Sequence, residues 1–207
     1  MNIKINKLSL IATLRTVTLI IGILFSIISL GQTNKPATDY LKVPGPIVFN
    51  KSTYKLSWSS HPSAAYYKQE YLPAGNTANS FKKIILLEVL AGDSKPADLV
   101  NAKIAELKIL KETNPVVNYE TFQKNGEYML DFLISENASD GKINILERNV
   151  YRYKSGVDKT GKKYVMLFGV SERSYGSESD SFLNALKKTR SVLTNAVATF
   201  LIPKITL

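Results

Sequence analysis

Between Tyr128 and Arg173, apolar and polar positions fall into three blocks. Tyr128–Ile134 (YMLDFLI), Ile145–Lys154 (ILERNVYRYK) and Lys163–Arg173 (KYVMLFGVSER) are rich in β-branched, aromatic and long aliphatic residues. Turn residues separate them, Asn137–Gly141 after the first and Ser155–Lys162, with Gly156 and Gly161, after the second. This pattern predicts an antiparallel meander. A sheet with an apolar face has to bury it, and two segments have the period to provide cover. In Pro96–Thr113, residues Ala97, Val100, Ile104, Leu107 and Leu110 form one helical stripe, with Ser94 as the expected cap and Asn114-Pro115 as the stop. In the last segment Phe182, Leu186, Thr189, Leu193, Ala196 and Phe200 recur at spacings of four and three, the strongest helical period in the chain. Ser177 and Asp180 have capping-box spacing, and Pro203 ends the run.

Ahead of the meander, Ile47–Asn50 and Thr53–Trp58 read as a hairpin with Tyr54, Leu56 and Trp58 on one apolar face. Ser59–Phe81 is less regular. His61-Pro62 reads as a turn, Tyr66–Leu72 as a strand, and Leu72–Asn76 as a further turn. Lys82–Gly92 is a short continuous apolar run, as expected of a central strand. Val116–Gln123 leads into another strand, and Lys124-Asn125-Gly126 forms the turn that follows. The expected fold class is α+β, a mostly antiparallel sheet with two main helices packed on it. A single domain spans 46–203, preceded by a linker over 32–45 and followed by a short tail, 204–207.

The first 31 residues change the expected location. Met1–Arg15 carries Lys4, Lys7 and Arg15 and no acid, Val17–Leu30 is uninterruptedly apolar, and Ser29 and Gly31 are small residues before Gln32. That order is the order of a secretory signal, with cleavage expected after Gly31. A retained anchor from Leu8 to Leu30 is the alternative, but it would contain Arg15, and its clean apolar part falls short of the ~20 residues that span a membrane. The periplasm is the expected destination, and the extracellular space is the alternative.

Composition narrows the chemistry. The chain has no cysteine and one histidine, so thiolate chemistry is excluded and zinc coordination disfavoured; no metal and no cofactor is expected. Net charge is +10, or +7 once the leader's three basic residues are removed, which favours an anionic partner. His61 adjoins Ser59 and Ser60, but there is no nucleophile elbow: Gly169–Arg173 lacks the final glycine. Glu70, Asp131, Glu147 and Glu172 are strand-placed carboxylates from which a two-carboxylate site would have to be assembled in space. Arg148, Arg152 and Lys154 share one strand face, with Tyr151 and Tyr153 on the other, a combination suited to stacking and charge. The expected binding residues are Trp58, His61, Tyr67 and Glu70, together with Arg148 and Arg152.

The segment Gln69-Glu70-Tyr71-Leu72-Pro73-Ala74-Gly75-Asn76 resembles one in the small exported bacterial PsbP-like and DcrB-like α/β-sandwich proteins. There an E-Y-x-P-x-G stretch precedes an aromatic-led element and a strand, places that Phe81 and Lys82–Leu90 would fill, and the order of elements over Pro46–Pro203 is compatible. The leader ending in Gly31-Gln32-Thr33 also resembles secreted proteins of Bacteroidota-type bacteria. The resemblance implies an accessory or binding protein and no catalytic residue. The resulting expectation is a non-enzymatic exported domain acting at the cell envelope. Its partner would be an envelope protein, a glycan or a phospholipid, with nucleic acid excluded by location, and the chain a monomer or weak dimer. A hydrolase with a spatially assembled carboxylate site is the alternative.

Overall fold

The computed structural model describes residues 36–43 and 45–207. The expected leader, 1–31, and the expected linker's residues 32–35 and 44 lie outside the described residues. The strand-forming blocks join into one sheet. In chain order the elements are β1 (Ile47–Phe49), β2 (Ser52–Ser63), β3 (Tyr66–Pro73), β4 (Lys83–Ala91), α1 (Pro96–Lys111), β5 (Asn118–Lys124), β6 (Glu127–Asn137), β7 (Ile143–Val157), β8 (Lys163–Tyr175) and α2 (Ser179–Thr199). The sheet runs β1-β2-β3-β4-β8-β7-β6-β5, and every neighbouring pair is antiparallel. The α+β class is thus the observed one. The apolar run of β4 lies at the centre beside β8, which is why it alternates so little: both of its faces are covered.

Each helix buries its stripe on a different face. Val100 and Leu107 of α1 pack with Leu86, Leu130, Phe132, Tyr153 and Leu167. Leu193 and Val197 of α2 pack on the opposite face with Met129, Val150, Met166, Phe168 and Val170. Beyond α2 that second face continues across β1–β4, where the chain's flanking segments cover it. Leu41, Val43 and Ile205 are buried there with Phe49, Tyr54 and Tyr71. The Thr206 N–H donates to the Leu41 carbonyl at 2.9 Å, and the Leu41 N–H donates to the side chain of fully buried Gln69 at 2.8 Å. Leu41, Val43 and Ile205, in the segments expected as linker and tail, are therefore part of the core. Among the described residues no helix is long and apolar enough to cross a membrane.

Local details depart from the sequence pattern for identifiable reasons. Helix α1 is capped by the Lys95 N–H donating to Asp98 at 2.9 Å rather than by Ser94. Helix α2 starts after a 3-10 turn, Gly176–Glu178, with no side-chain cap. Thr189 is exposed, and Thr194 and Val197 complete the buried stripe. The two-residue turn Asn125-Gly126 has both φ angles positive, as a type I′ hairpin requires. In β2, Leu56 pairs with Tyr71 and Trp58 with Glu70, so Ser57 is an extra, bulged residue. Tyr54 and Leu56 consequently face the α2 side, while Trp58 faces the other.

Candidate binding face

Helix α1 packs on β5, β6 and β7. Its core reaches Leu86 of β4 and Leu167 of β8, and among the described residues no helix is packed on the β2–β3 part of that face. The register lays two rows across it. One runs Trp58, Glu70, Leu86, Gly169, Tyr151; the next runs Ser60, Lys68, Glu88, Leu167, Tyr153. The closely spaced residues of the rows create an ion-paired surface. Lys68 Nζ lies 3.3 Å from Glu70 and 3.6 Å from Glu88, and 5.9 Å from the centre of the Trp58 ring. The Tyr66 hydroxyl donates to Glu88 at 2.7 Å. Farther along, Arg173 pairs with Glu147 and lies 4.1 Å over the Phe81 ring. Ser171 donates to Asn149 Oδ1, and Asn149 Nδ2, fully buried, finds no acceptor among the described residues. The Tyr151 ring lies flush on Gly169, where an added Cβ would meet it at 2.9 Å.

Burial dominates the electrostatics here. It raises the Glu70 carboxyl above its ordinary value even though Lys68 pulls the other way. Burial favours neutral Lys68, but Glu88 and Glu70 outweigh it and hold the ammonium above the usual lysine range. The Tyr66 hydroxyl is pushed far up by burial and then by the Glu88 charge, and Tyr151 rises well above its usual value, chiefly through burial. The face therefore presents protonated tyrosines, half-exposed rings and charges that already have partners.

Of the expected binding residues, Trp58 and Glu70 meet on this face. His61 and Tyr67 lie on the opposite face, their rings stacked at 4.0 Å and 12°, with Tyr40 5.4 Å from His61. His61 lies within β2, not in a turn, and its Nδ1 is 3.0 Å from the Tyr66 carbonyl. Arg148 and Arg152 also face away, beneath α2. Arg148 is 1% exposed; its Nε and Nη2 donate to Asp131 at 3.2 and 2.8 Å, and Nη2 also donates to the Arg190 carbonyl and the Thr194 hydroxyl. Burial would raise Asp131, but Arg148 and Arg190 outweigh it and hold the carboxyl below its usual range. Arg152 donates to Glu127 at 2.7 Å and to the Val197 and Phe200 carbonyls at 3.2 and 3.0 Å. The expected basic strand face is thus largely the underside of α2. Of the four carboxylates considered, Glu70 and Glu147 share the candidate face, while Asp131 and Glu172 lie behind it.

Recesses occur elsewhere. One of about 490 Å³ lies between the β5–β6 turn and α2, lined by Phe122, Lys124, Met129, Arg152 and Ala198, with Glu127 the one acid among the described residues. Another of about 540 Å³, beside the end of α1, has Glu112 as its one acid among the described residues. Neither opposes two carboxylates. Sequence reasoning missed Lys68, Glu88 and Arg173. One signal was legible: Glu88 is a lone charge inside the apolar run of β4, and a buried carboxylate requires partners.

A family model matches residues 41–202, nearly the whole described chain. The chain belongs to that family, a small uncharacterised one. The family match starts at Leu41, the first of the flanking residues that close the core. No curated protein matches the chain. Among solved structures it is similar to LpqN of Mycobacterium tuberculosis, described as involved in cell envelope biogenesis, with 19% identity and a TM-score of 0.37 over 84% of this chain and 87% of that one.

Proposed function

We propose that the protein is an exported, non-enzymatic binding domain of the cell envelope, located in the periplasm, whose ligand lies on the face around Trp58, Lys68 and Glu70. One observation carries this reading: among the described residues, paired and largely buried charges on this face lie beside the half-exposed rings of Trp58 and Tyr66. A face with no role would be expected to carry simple solvated residues; desolvating three glutamates, a lysine and an arginine costs stability that their pairing only partly returns. Export rests on the leader-like order of residues 1–31. The same reading keeps the likeness to the PsbP-like and DcrB-like sandwiches, because their E-Y-x-P-x-G stretch is the end of β3 that presents Glu70.

The test is cosedimentation of the purified protein with the native host's envelope fraction. Wild type is expected in the pellet, and Trp58→Ala and Glu70→Gln are expected to bind at least tenfold more weakly while unfolding as cooperatively as wild type. Equal sedimentation of all three would refute the site. Mass spectrometry of protein recovered from the periplasm should show Gln32 as the first residue; finding residues 1–31 still attached would refute cleavage.

A hydrolase is the second reading, favoured by the raised Glu70 carboxyl, which shares Lys68 with Glu88. It predicts soluble products released from envelope material by wild type and not by Glu70→Gln. The binding reading predicts none from either.

A further inference from the structure

We infer that the ligand of this face is a neutral glycan, held by a sugar ring laid against Trp58 while its hydroxyls bridge the paired charges beside it. The inference rests on the binding site proposed above and specifies what occupies it. Three carboxylates, Glu70, Glu88 and Glu147, stand against two cations, Lys68 and Arg173, and each has a partner within the face. An anionic ligand would meet an excess of acid, and to use Lys68 or Arg173 it would have to displace a glutamate that is already bound. A cationic ligand would have to separate Glu70 or Glu88 from Lys68, leaving a largely buried ammonium with less compensation. A hydroxyl avoids both costs, because it donates to a carboxylate and accepts from a cation at once, without breaking the pair. Vicinal hydroxyls supply such groups in a row, as the ion-paired surface does.

The aromatic groups fit the same occupant. Trp58 is 37% exposed and Tyr66 half-buried, so both offer ring surface beside polar atoms. A pyranose has an apolar C–H face and an equatorial rim of hydroxyls, matching a ring bordered by donors and acceptors. Farther along the same face, on β7, the Asn149 amide is wholly buried and its Nδ2 has no acceptor among the described residues.

The test uses the full protein and the host envelope fraction, in four portions: untreated, oxidised with periodate, digested with protease, and delipidated. Periodate cleaves vicinal diols and therefore destroys glycans without regard to their identity. The expected result is a tenfold or greater loss of sedimentation on the periodate-treated portion only, with binding unchanged between 50 and 500 mM salt because no net charge is neutralised. Trp58 is the chain's single tryptophan, so its fluorescence reports the site directly. Neutral chitotetraose and maltotetraose, added separately, should shift that emission for at least one of the two, whereas tetragalacturonate and chitosan tetramer should not. Loss on the protease-treated or delipidated portion with periodate without effect, steep salt dependence, or an emission response to a charged oligomer alone would overturn the glycan assignment. Those results would leave the site standing provided Trp58→Ala still abolished sedimentation; sedimentation indifferent to Trp58→Ala would remove the site as well.

Discussion

At residue scale, the buried Arg148–Asp131 pair is the most consequential interaction. Both side chains are essentially inaccessible, and the planar guanidinium meets the carboxylate through two nitrogens, a geometry lysine cannot reproduce. Asp131→Asn leaves a buried cation short of its partner, and the expected loss is about 3–5 kcal/mol in urea unfolding at pH 7. The pair also sets a pH dependence. Asp131 is depressed in the folded state, so its contribution is present above the unfolded value of about 3.9 and is lost as pH falls through the lower folded value. Wild type should therefore lose stability across that acid window, and Asp131→Asn should lose less. Glu70 has the opposite sign: its folded value is raised, so its contribution is greatest below the unfolded value and disappears as pH rises through the folded one. The stability of wild type relative to Glu70→Gln should fall over that interval, as measured by paired denaturation curves.

At the scale of elements, Arg152 holds the last turn of α2 by donating to two of its final carbonyls. Arg152→Met should cost about 1.5–3 kcal/mol, the range for hydrogen bonds to a charged group, and amide exchange should accelerate over Val197–Phe200 while the centre of α2 stays protected. The same helix marks how far the sequence could be read. Its period predicted a buried stripe, and Leu186 and Leu193 are buried as expected. The pattern did not reveal which sheet face the stripe covers, and that choice decides the fate of Arg148 and Arg152. Seen along β7 alone, they are alternate basic residues; only the packing of α2 turns them from surface into clamp. Trp58 illustrates a second limit. Strict alternation puts it with Tyr54 and Leu56, but one bulged residue, Ser57, moves it to the other face beside Glu70. Strands, helices and their order were readable because period-2 and period-3.6 patterns are local. The candidate face was only partly readable because Lys68, Glu88 and Arg173 come from three strands whose register is not.

For the molecule over its described residues, the sheet is enclosed unequally. One face has α2 plus residues 36–43 and 204–207; the other has α1 over part of its area. The flanking segments are structural, so Leu41→Ala should destabilise by about 2–5 kcal/mol, as large-to-small substitutions of fully buried leucines do. Removing residues 204–207 should also lower the melting temperature, because it uncovers the Leu41 carbonyl and takes Ile205 out of the core. Calorimetry would check both; a deletion that melts like wild type would contradict this packing.

The pairing of Thr206 with Leu41 also fixes a direction of approach. Leu41 and Ile205–Leu207 lie at the back of the sheet relative to Trp58. A protein immobilised on a sensor by a tag after Leu207 should turn its front toward the solution, so the stoichiometry it shows there should equal that of the free molecule.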